Sequence, residues 1–297
     1  MKTNIISAMT MLIAVVVAFV SCEKVNLDSA ESDIPANANL ILKVVGSDDT
    51  RTDGEYWNRL HFVVYQDGTK VADKSQTAGD DGYGQAAIAL AEGTYQVLVL
   101  AHSSNGSPSL ASAEKIQFTN ANGFTDTFYF YGDITVTSEP QTHEITLERA
   151  TAMLRFIIND TMPANVRSMK FYYTGGSGAL NAKTGFGCVA SKQTVNVDID
   201  PETLTNPYIF ELYTIPHEQK ASLTLTVTAY DESQNVVCER TFKGVEVEKN
   251  KITEFAGNFF TGGEKQDDNP DETPTPGQDT FVIRANTQWA GTLKQTY

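Results

Sequence analysis

The chain has 297 residues, 37 acidic against 22 basic side chains, and a formal net charge of -15. No basic stripe occurs anywhere in it, which excludes the electrostatic footprint of a nucleic-acid binder; the acidity itself says only that the surface favours solubility. The length allows about two domains of ordinary size, so the core does not need disulfides.

Lys2 is followed by an apolar run over residues 5–20 and by Ser21. That run is shorter than the ~20 residues a membrane-spanning helix needs. A basic start, a short apolar stretch and a small residue predict an export signal over residues 1–21. Phe19-Val20-Ser21-Cys22 resembles a bacterial lipobox, with Phe19 where Leu is usual. The resemblance implies lipidation of Cys22 and cleavage before it; a plain signal peptide cut elsewhere is the alternative. Residues 22–37 are polar and acidic and read as a tether.

Strand signals then recur with few helical ones. Residues 40–45 (LILKVV) form a β run ended by Gly46, and residues 60–65 (LHFVVY) another, followed by the turn Gln66-Asp67-Gly68. Residues 85–90 alternate, 94–101 (TYQVLVLA) are strongly aliphatic, and 128–131 and 142–147 complete a first set. A second set comprises residues 151–159, 168–173, 193–199, 208–214, 222–230, 236–243 and 252–260. In residues 222–230, Leu223, Leu225, Val227 and Ala229 share one face. Short strands separated by Gly, Asn and Asp turns predict an all-β protein of two tandem sandwiches, 38–148 and 149–261.

Residues 262–279 (GGEKQDDNPDETPTPGQD) are charged, Pro-rich and without apolar anchors, the composition of a linker. Residues 280–297 are again strand-like, with Phe281, Ile283 and Ala285 on one side and Trp289 beyond. A lone strand cannot bury itself. This segment is therefore predicted to pair with a sheet edge, in its own chain or in another.

Chemistry-bearing constellations are missing from the sequence. His61, His102, His143 and His217 are scattered without metal-ligand spacing and read as surface or strand-end residues. There is no GxSxG elbow. Residues 178–184 (GALNAKT) place Ala182 where a phosphate loop needs glycine, and read as a glycine-rich β loop. Cys188 has no basic neighbour in sequence to activate it and reads as a buried or paired thiol; Cys188 and Cys238 form one disulfide or remain two free thiols. Ser47-Asp48-Asp49 and Asp80-Asp81-Gly82 lack an EF-hand pattern and read as solvated turns. Trp57 and Trp289 suit core packing or interface anchoring, with sugar stacking as the other use. No catalytic residue, metal or cofactor is expected.

Three stretches carry a family resemblance. Residues 93–101 (GTYQVLVLA) resemble the G-x-Y-x-hydrophobic strand of the fimbrillin superfamily, the fimbrial subunits and anchor lipoproteins of Bacteroidales-type bacteria. Phe130-Tyr131-Gly132, followed by residues 145–154 (ITLERATAML), resembles that family's junction between domains, where Leu-x-Arg precedes the second domain. Trp289, Gln295 and Tyr297 resemble the end of polymerising subunits. The acidic linker before the last strand departs from compact stalk subunits and suits an anchor, tip or accessory subunit.

The resemblance implies two tandem transthyretin-like β-sandwich domains and assembly by strand exchange, with no catalysis. In that scheme the strand at 40–45 leaves after a protease cuts behind it, and Arg51 stands where the family's cleavage Arg stands. An extended segment, here Phe281, Ile283, Ala285 and Trp289, fills the vacated groove of another subunit by β-augmentation. An anchor subunit instead keeps both its lipid and its first strand. The expected partners are other fimbrial subunits, the outer membrane through the lipid on Cys22, and a host or bacterial surface ligand. The expected location is the outer membrane, exposed at the cell surface. The alternative function is a surface glycan-binding lipoprotein of a nutrient-uptake system.

Overall fold

A computed structural model describes residues 35, 37–45, 57–104, 106–118, 124–200, 203–261, 289 and 292–293. Every helix-or-strand element among them is a β-strand. The first half holds β1 (Leu40–Val44), β2 (Arg59–Gln66), β3 (Thr69–Thr77), β4 (Gln85–Ile88), β5 (Gly93–His102), β6 (Ile116–Gln117), β7 (Phe128–Val136), β8 (Gln141–Ile145) and β9 (Glu148–Arg149). The second holds β10 (Ala152–Ile158), β11 (Ser168–Thr174), β12 (Ala179–Asn181), β13 (Phe186–Gly187), β14 (Gln193–Asp198), β15 (Tyr208–Thr214), β16 (Lys220–Tyr230), β17 (Val236–Glu248), β18 (Ile252–Gly257) and β19 (Thr292–Leu293).

In the first half a sheet of order β4-β1-β8 faces one of order β3-β2-β5-β7-β9. Their shared core holds Leu40, Leu42 and Val44 of β1, Phe62 and Val64 of β2, and Val97 and Val99 of β5. Trp57, fully buried, closes one end against Phe128, with ring centroids 5.0 Å apart. Core packing, not sugar stacking, is therefore the use of Trp57. In the second half a sheet of order β15-β10-β18-β19 faces one of order β14-β11-β16-β17. The alternation in β16 does what its period dictates: Leu223, Leu225, Val227 and Ala229 enter the core, while Thr226 bonds Thr241 across the outer face at 2.9 Å. Between Leu223 and Leu225 the ladder with β17 shifts, and Gly244 absorbs the bulge at φ +71, where a side chain would be strained.

A third core joins the halves. The face of β2 and β5 opposite the first core carries Val63, Tyr65, Leu98 and Leu100, and these pack with Ile116, Phe124, Leu180 and Ile215. Both faces of these two strands are thus buried, which is why their sequences run apolar without alternation. A small sheet of order β13-β12-β6 staples the halves, with β6 pairing antiparallel to β12. Residues 178–184 accordingly contribute β12 and the turn after it. Cys188 follows β13 and is free and exposed, against the expectation of a buried or paired thiol; Cys238 is also free and half-buried. β13 is only two residues long, so the chain leaves the cover of the sheet at once.

Two histidines depart from the sequence expectation. His61 and His102 are 5% and 0% exposed, on adjacent strands β2 and β5. The Ser104 N–H donates to His102 Nδ1 at 3.1 Å, which leaves the His102 proton on Nε2. His102 Nε2 then donates to His61 Nε2 at 3.0 Å, and His61 Nδ1 donates to Ser75 Oγ at 2.8 Å. The relay is fully satisfied only when both rings are neutral. Burial, aided by Arg59 and opposed by Asp73, lowers His61 to about 4. Burial, then His61 and Arg59, lowers His102 to about 3.

Both folded values lie below the ordinary 6.5. The stability this pair contributes is therefore complete above that pH and is lost as pH falls through about 4 and then about 3. Thermal unfolding between pH 7 and pH 3 should show a melting temperature that declines more steeply for the native chain than for the H61Q/H102Q double variant. Parallel slopes would contradict the relay.

Candidate strand-complementation site

The first strand is the feature on which assembly chemistry would act. β1 lies between β4, antiparallel, and β8, parallel, so it has a hydrogen-bonded neighbour on each side. Its period of two sends Leu40, Leu42 and Val44 into the core, at 0%, 0% and 4% exposure, and leaves Lys43 exposed. Each buried aliphatic side chain contributes ~1.5–3 kcal/mol. The ladder extends beyond the strand, since Val44 N donates to Gly84 O at 2.9 Å and Val45 N to Ile145 O at 2.9 Å.

Asn39 clasps the entrance to this slot. Its Nδ2 donates to Leu90 O at 2.9 Å, beyond β4, and to Thr137 O at 2.7 Å, before β8. Its Oδ1 accepts from Leu90 N at 2.9 Å. One amide thus bridges both walls. Position 39 needs a side chain with donors and an acceptor together, which an aliphatic residue lacks.

A second set of contacts surrounds Arg149, the arginine of the Leu147-Glu148-Arg149 triplet. Arg149 is 5% exposed. Its Nε lies 3.0 Å from both oxygens of Asp126, and its Nη1 donates to Asn250 Oδ1 at 3.0 Å. Burial holds the Asp126 carboxyl above the usual carboxylate range, an effect that Arg149 and the Thr151 hydroxyl offset only in part. The guanidinium sits 4.5 Å from the Phe128 ring centroid and 3.7 Å from that of Trp289. Arg149 therefore joins the two halves of the fold and also receives the tryptophan near the chain's end. Just beyond, β19 adds in parallel to the edge strand β18, with Thr292 opposite Ile252 and Leu293 opposite Thr253.

Trp289 is thus docked on its own chain. Phe281, Ile283 and Ala285, the linker 262–279, Arg51, Cys22 and residues 1–21 lie outside the described residues. Sequence reasoning identified the triplet ending in Arg149 and also Trp289, but not that they meet. They stand 140 positions apart, counting from 149 to 289, and no local pattern links them.

Four substitutions separate the roles. Leu42→Ala should destabilise the chain by about 2–5 kcal/mol, whereas Lys43→Ala on the same strand should change stability by no more than about 0.5 kcal/mol. Arg149→Ala leaves Asp126 buried without its partner and should cost about 3–5 kcal/mol. Trp289→Ala removes a cation–π contact worth about 0.5–2 kcal/mol. Chemical denaturation of the four variants checks the ranking.

The family of fimbrillin-A associated anchor proteins Mfa1 and Mfa2 matches residues 30–287 of the chain. No curated protein matches it significantly. Among solved structures, a candidate adhesin from Bacteroides ovatus ATCC 8483 is 15% identical, with TM-score 0.49, over 69% of this chain and 82% of that one. The fimbrial anchor protein Mfa2 from Porphyromonas gingivalis is 12% identical, with TM-score 0.43, over 69% of this chain and 82% of that one. A fimbrial assembly protein from Parabacteroides distasonis ATCC 8503 is 17% identical, with TM-score 0.38, over 74% and 90%. Because the family match takes in both pairs of sheets and the first strand, the chain belongs to the fimbrillin-A associated anchor protein family.

Proposed function

We propose that this chain is an anchor or accessory subunit of a cell-surface fimbria, assembled by β-strand complementation and serving adhesion. The observation that carries the reading is β1: a fully seated strand with a wall on each side, in a chain of an anchor family. An acceptor for strand exchange needs such a slot, and an anchor needs its own strand to stay in it. In this reading β1 is retained and the bond after Arg51 is not cut. Cys22 carries the lipid that holds the protein at the outer membrane, and other fimbrial subunits are its partners. The two halves of the fold are two tandem transthyretin-like sandwiches, 38–148 and 149–261, with residues 262–279 as linker and 280–297 as the extended segment. No catalytic role, metal or cofactor is assigned.

The terminal segment acts either in trans or in cis. If Phe281, Ile283, Ala285 and Trp289 act as a donor, they fill the slot of a neighbouring subunit. If they act in cis, they reinforce the chain's own second half, the arrangement that β19 and Trp289 favour.

Two measurements test this reading. Cys22→Ala should move the protein out of the membrane fraction and abolish palmitate labelling; retention with full labelling would remove the anchoring claim. Deleting residues 280–297 should lower the melting temperature of the monomer if the segment acts in cis. If it acts as a donor, the deletion should abolish incorporation into fibres and leave monomer stability unchanged.

A further inference from the structure

The third core does not cover the whole outer face of the β3-β2-β5-β7-β9 sheet. Val63, Leu98, Leu100 and Tyr129 are buried under the second half. One row further along the same face only Tyr65 is still covered, at 1% exposure; beyond it the cover ends and the residues change character. Tyr65, Gln96 and Asp133 stand side by side across β2, β5 and β7, because Tyr65 pairs with Gln96 and Gln96 with Asp133. Tyr131 lies two residues before Asp133 on the same face of β7. These residues line a cleft of about 450 Å³. That is within the ~300–1,000 Å³ usual for small-molecule sites.

The walls come from both halves and are tied together. On one side is the β2–β3 hairpin turn, where Asp67 and Gly68 take left-handed backbone at φ 50 and 78. Opposite stand Glu114 and, from the turn between β12 and β13, Lys183, whose Nζ lies 2.6 Å from Glu114 Oε1. The Ala182 N–H donates to Ala113 O at 2.8 Å, so the backbone beside Lys183 is pinned to the backbone beside Glu114. Tyr65 OH donates to Leu110 O at 2.9 Å, and Gln96 Nε2 lies 3.3 Å from Asp133 Oδ1. Tyr65 is held in place at a buried position, while the Gln96–Asp133 and Lys183–Glu114 pairs stand exposed to solvent at the rim.

We propose that this cleft is a binding site for a neutral or amine-bearing saccharide of one or two units. The chemistry selects that class. Tyr131, half-buried at the wall, supplies an aromatic surface for the apolar C–H face of a pyranose. Asp67 and Asp133 supply paired acceptors, and Gln96 both a donor and an acceptor, for vicinal hydroxyls. Asp67, Glu114 and Asp133 face a single cation, Lys183, already engaged with Glu114, so phosphates and acidic sugars meet net negative charge. An apolar ligand would leave these polar groups without partners. The site goes beyond fimbrial assembly, since strand exchange at β1 acts on the opposite face of the same sheet. Its failure would leave the assembly reading untouched, and the converse also holds.

The test is an array of neutral, amino and acidic glycans probed with the full chain, followed by titration calorimetry with the best disaccharide. Two variants, Asp133→Ala at an exposed position and Tyr131→Ala, are compared with the native chain, with melting temperature as the control for folding. Neutral or amino saccharides should bind. Asp133→Ala should weaken binding by roughly tenfold or more, the loss expected for a hydrogen bond to a charged group, without lowering the melting temperature. The proposal is overturned if no saccharide binds, if acidic glycans bind selectively, or if both variants leave binding unchanged. Capture of poly-lysine in place of every sugar would reassign the cleft to cationic peptides and overturn it as well.

Discussion

The burial of both faces of one sheet is the constraint on which the rest depends. β2 and β5 carry Phe62, Val64, Val97 and Val99 toward the β4-β1-β8 sheet, and Val63, Tyr65, Leu98 and Leu100 toward the second half. Neither strand can shift register by one residue without exchanging these two sets. The first set forms the floor of the slot that holds β1. The second sets how the halves meet, and where it stops the acidic cleft begins. The slot of the first strand and the acidic cleft thereby lie on opposite faces of a single element, so filling the cleft need not disturb the first strand.

Arg149 performs a related task at the seam. A buried carboxylate such as Asp126 is tolerated only with a partner of opposite charge and further hydrogen bonds. Arg149, Thr151 and the backbone of Thr127 provide both. Because Arg149 belongs to β9 and bonds Asn250, which precedes β18, the pair fixes the passage from one set of sheets to the next. The guanidinium faces are flat and weakly hydrated, and so suited to stacking on rings. Phe128 takes one ring contact and Trp289 another, so the site that joins the halves is also the site that receives the terminal segment.

Much of this was legible in the sequence, and the parts that were not share a cause. The alternation in residues 222–230 and the unbroken apolar run in 94–101 each correspond to a strand, β16 and β5, because burial on one face or on two imposes a different pattern. β3 was missed: its nine residues are nearly all exposed, so nothing in TKVADKSQT reports a core, and it exists through its ladder with β2. β6 and β12 are too short to leave a periodic signal. The His61–His102 relay and the Arg149–Trp289 contact are tertiary. Each joins residues that are ordinary in their own strand, so spacing along the chain could not reveal them. The aromatic and acidic residues of the cleft were equally silent, since Gln96 and Asp133 become neighbours only through the register of β5 on β7.

That register logic also bears on how the first strand and the terminal segment differ. β1 has a ladder on each side and three side chains in the core, and Asn39 fastens its start to both walls. Three buried aliphatic side chains at ~1.5–3 kcal/mol each approach the ~5–15 kcal/mol that stabilises a whole domain. Spontaneous departure of β1 would therefore be close in free energy to unfolding the first half. β19 makes one parallel ladder of two residues at a sheet edge. Its release would break far fewer contacts, and Arg149 would keep Asp126, Asn250 and Phe128 when Trp289 left. Of the two described strands, β19 is thus the more easily released and β1 the more firmly held. Only a cut in the backbone, or an incoming strand that replaces the ladder as β1 peels away, makes the slot available on a useful timescale. A chain that retains β1 is thermodynamically closed at that position, the property required of a subunit at the base of a fibre.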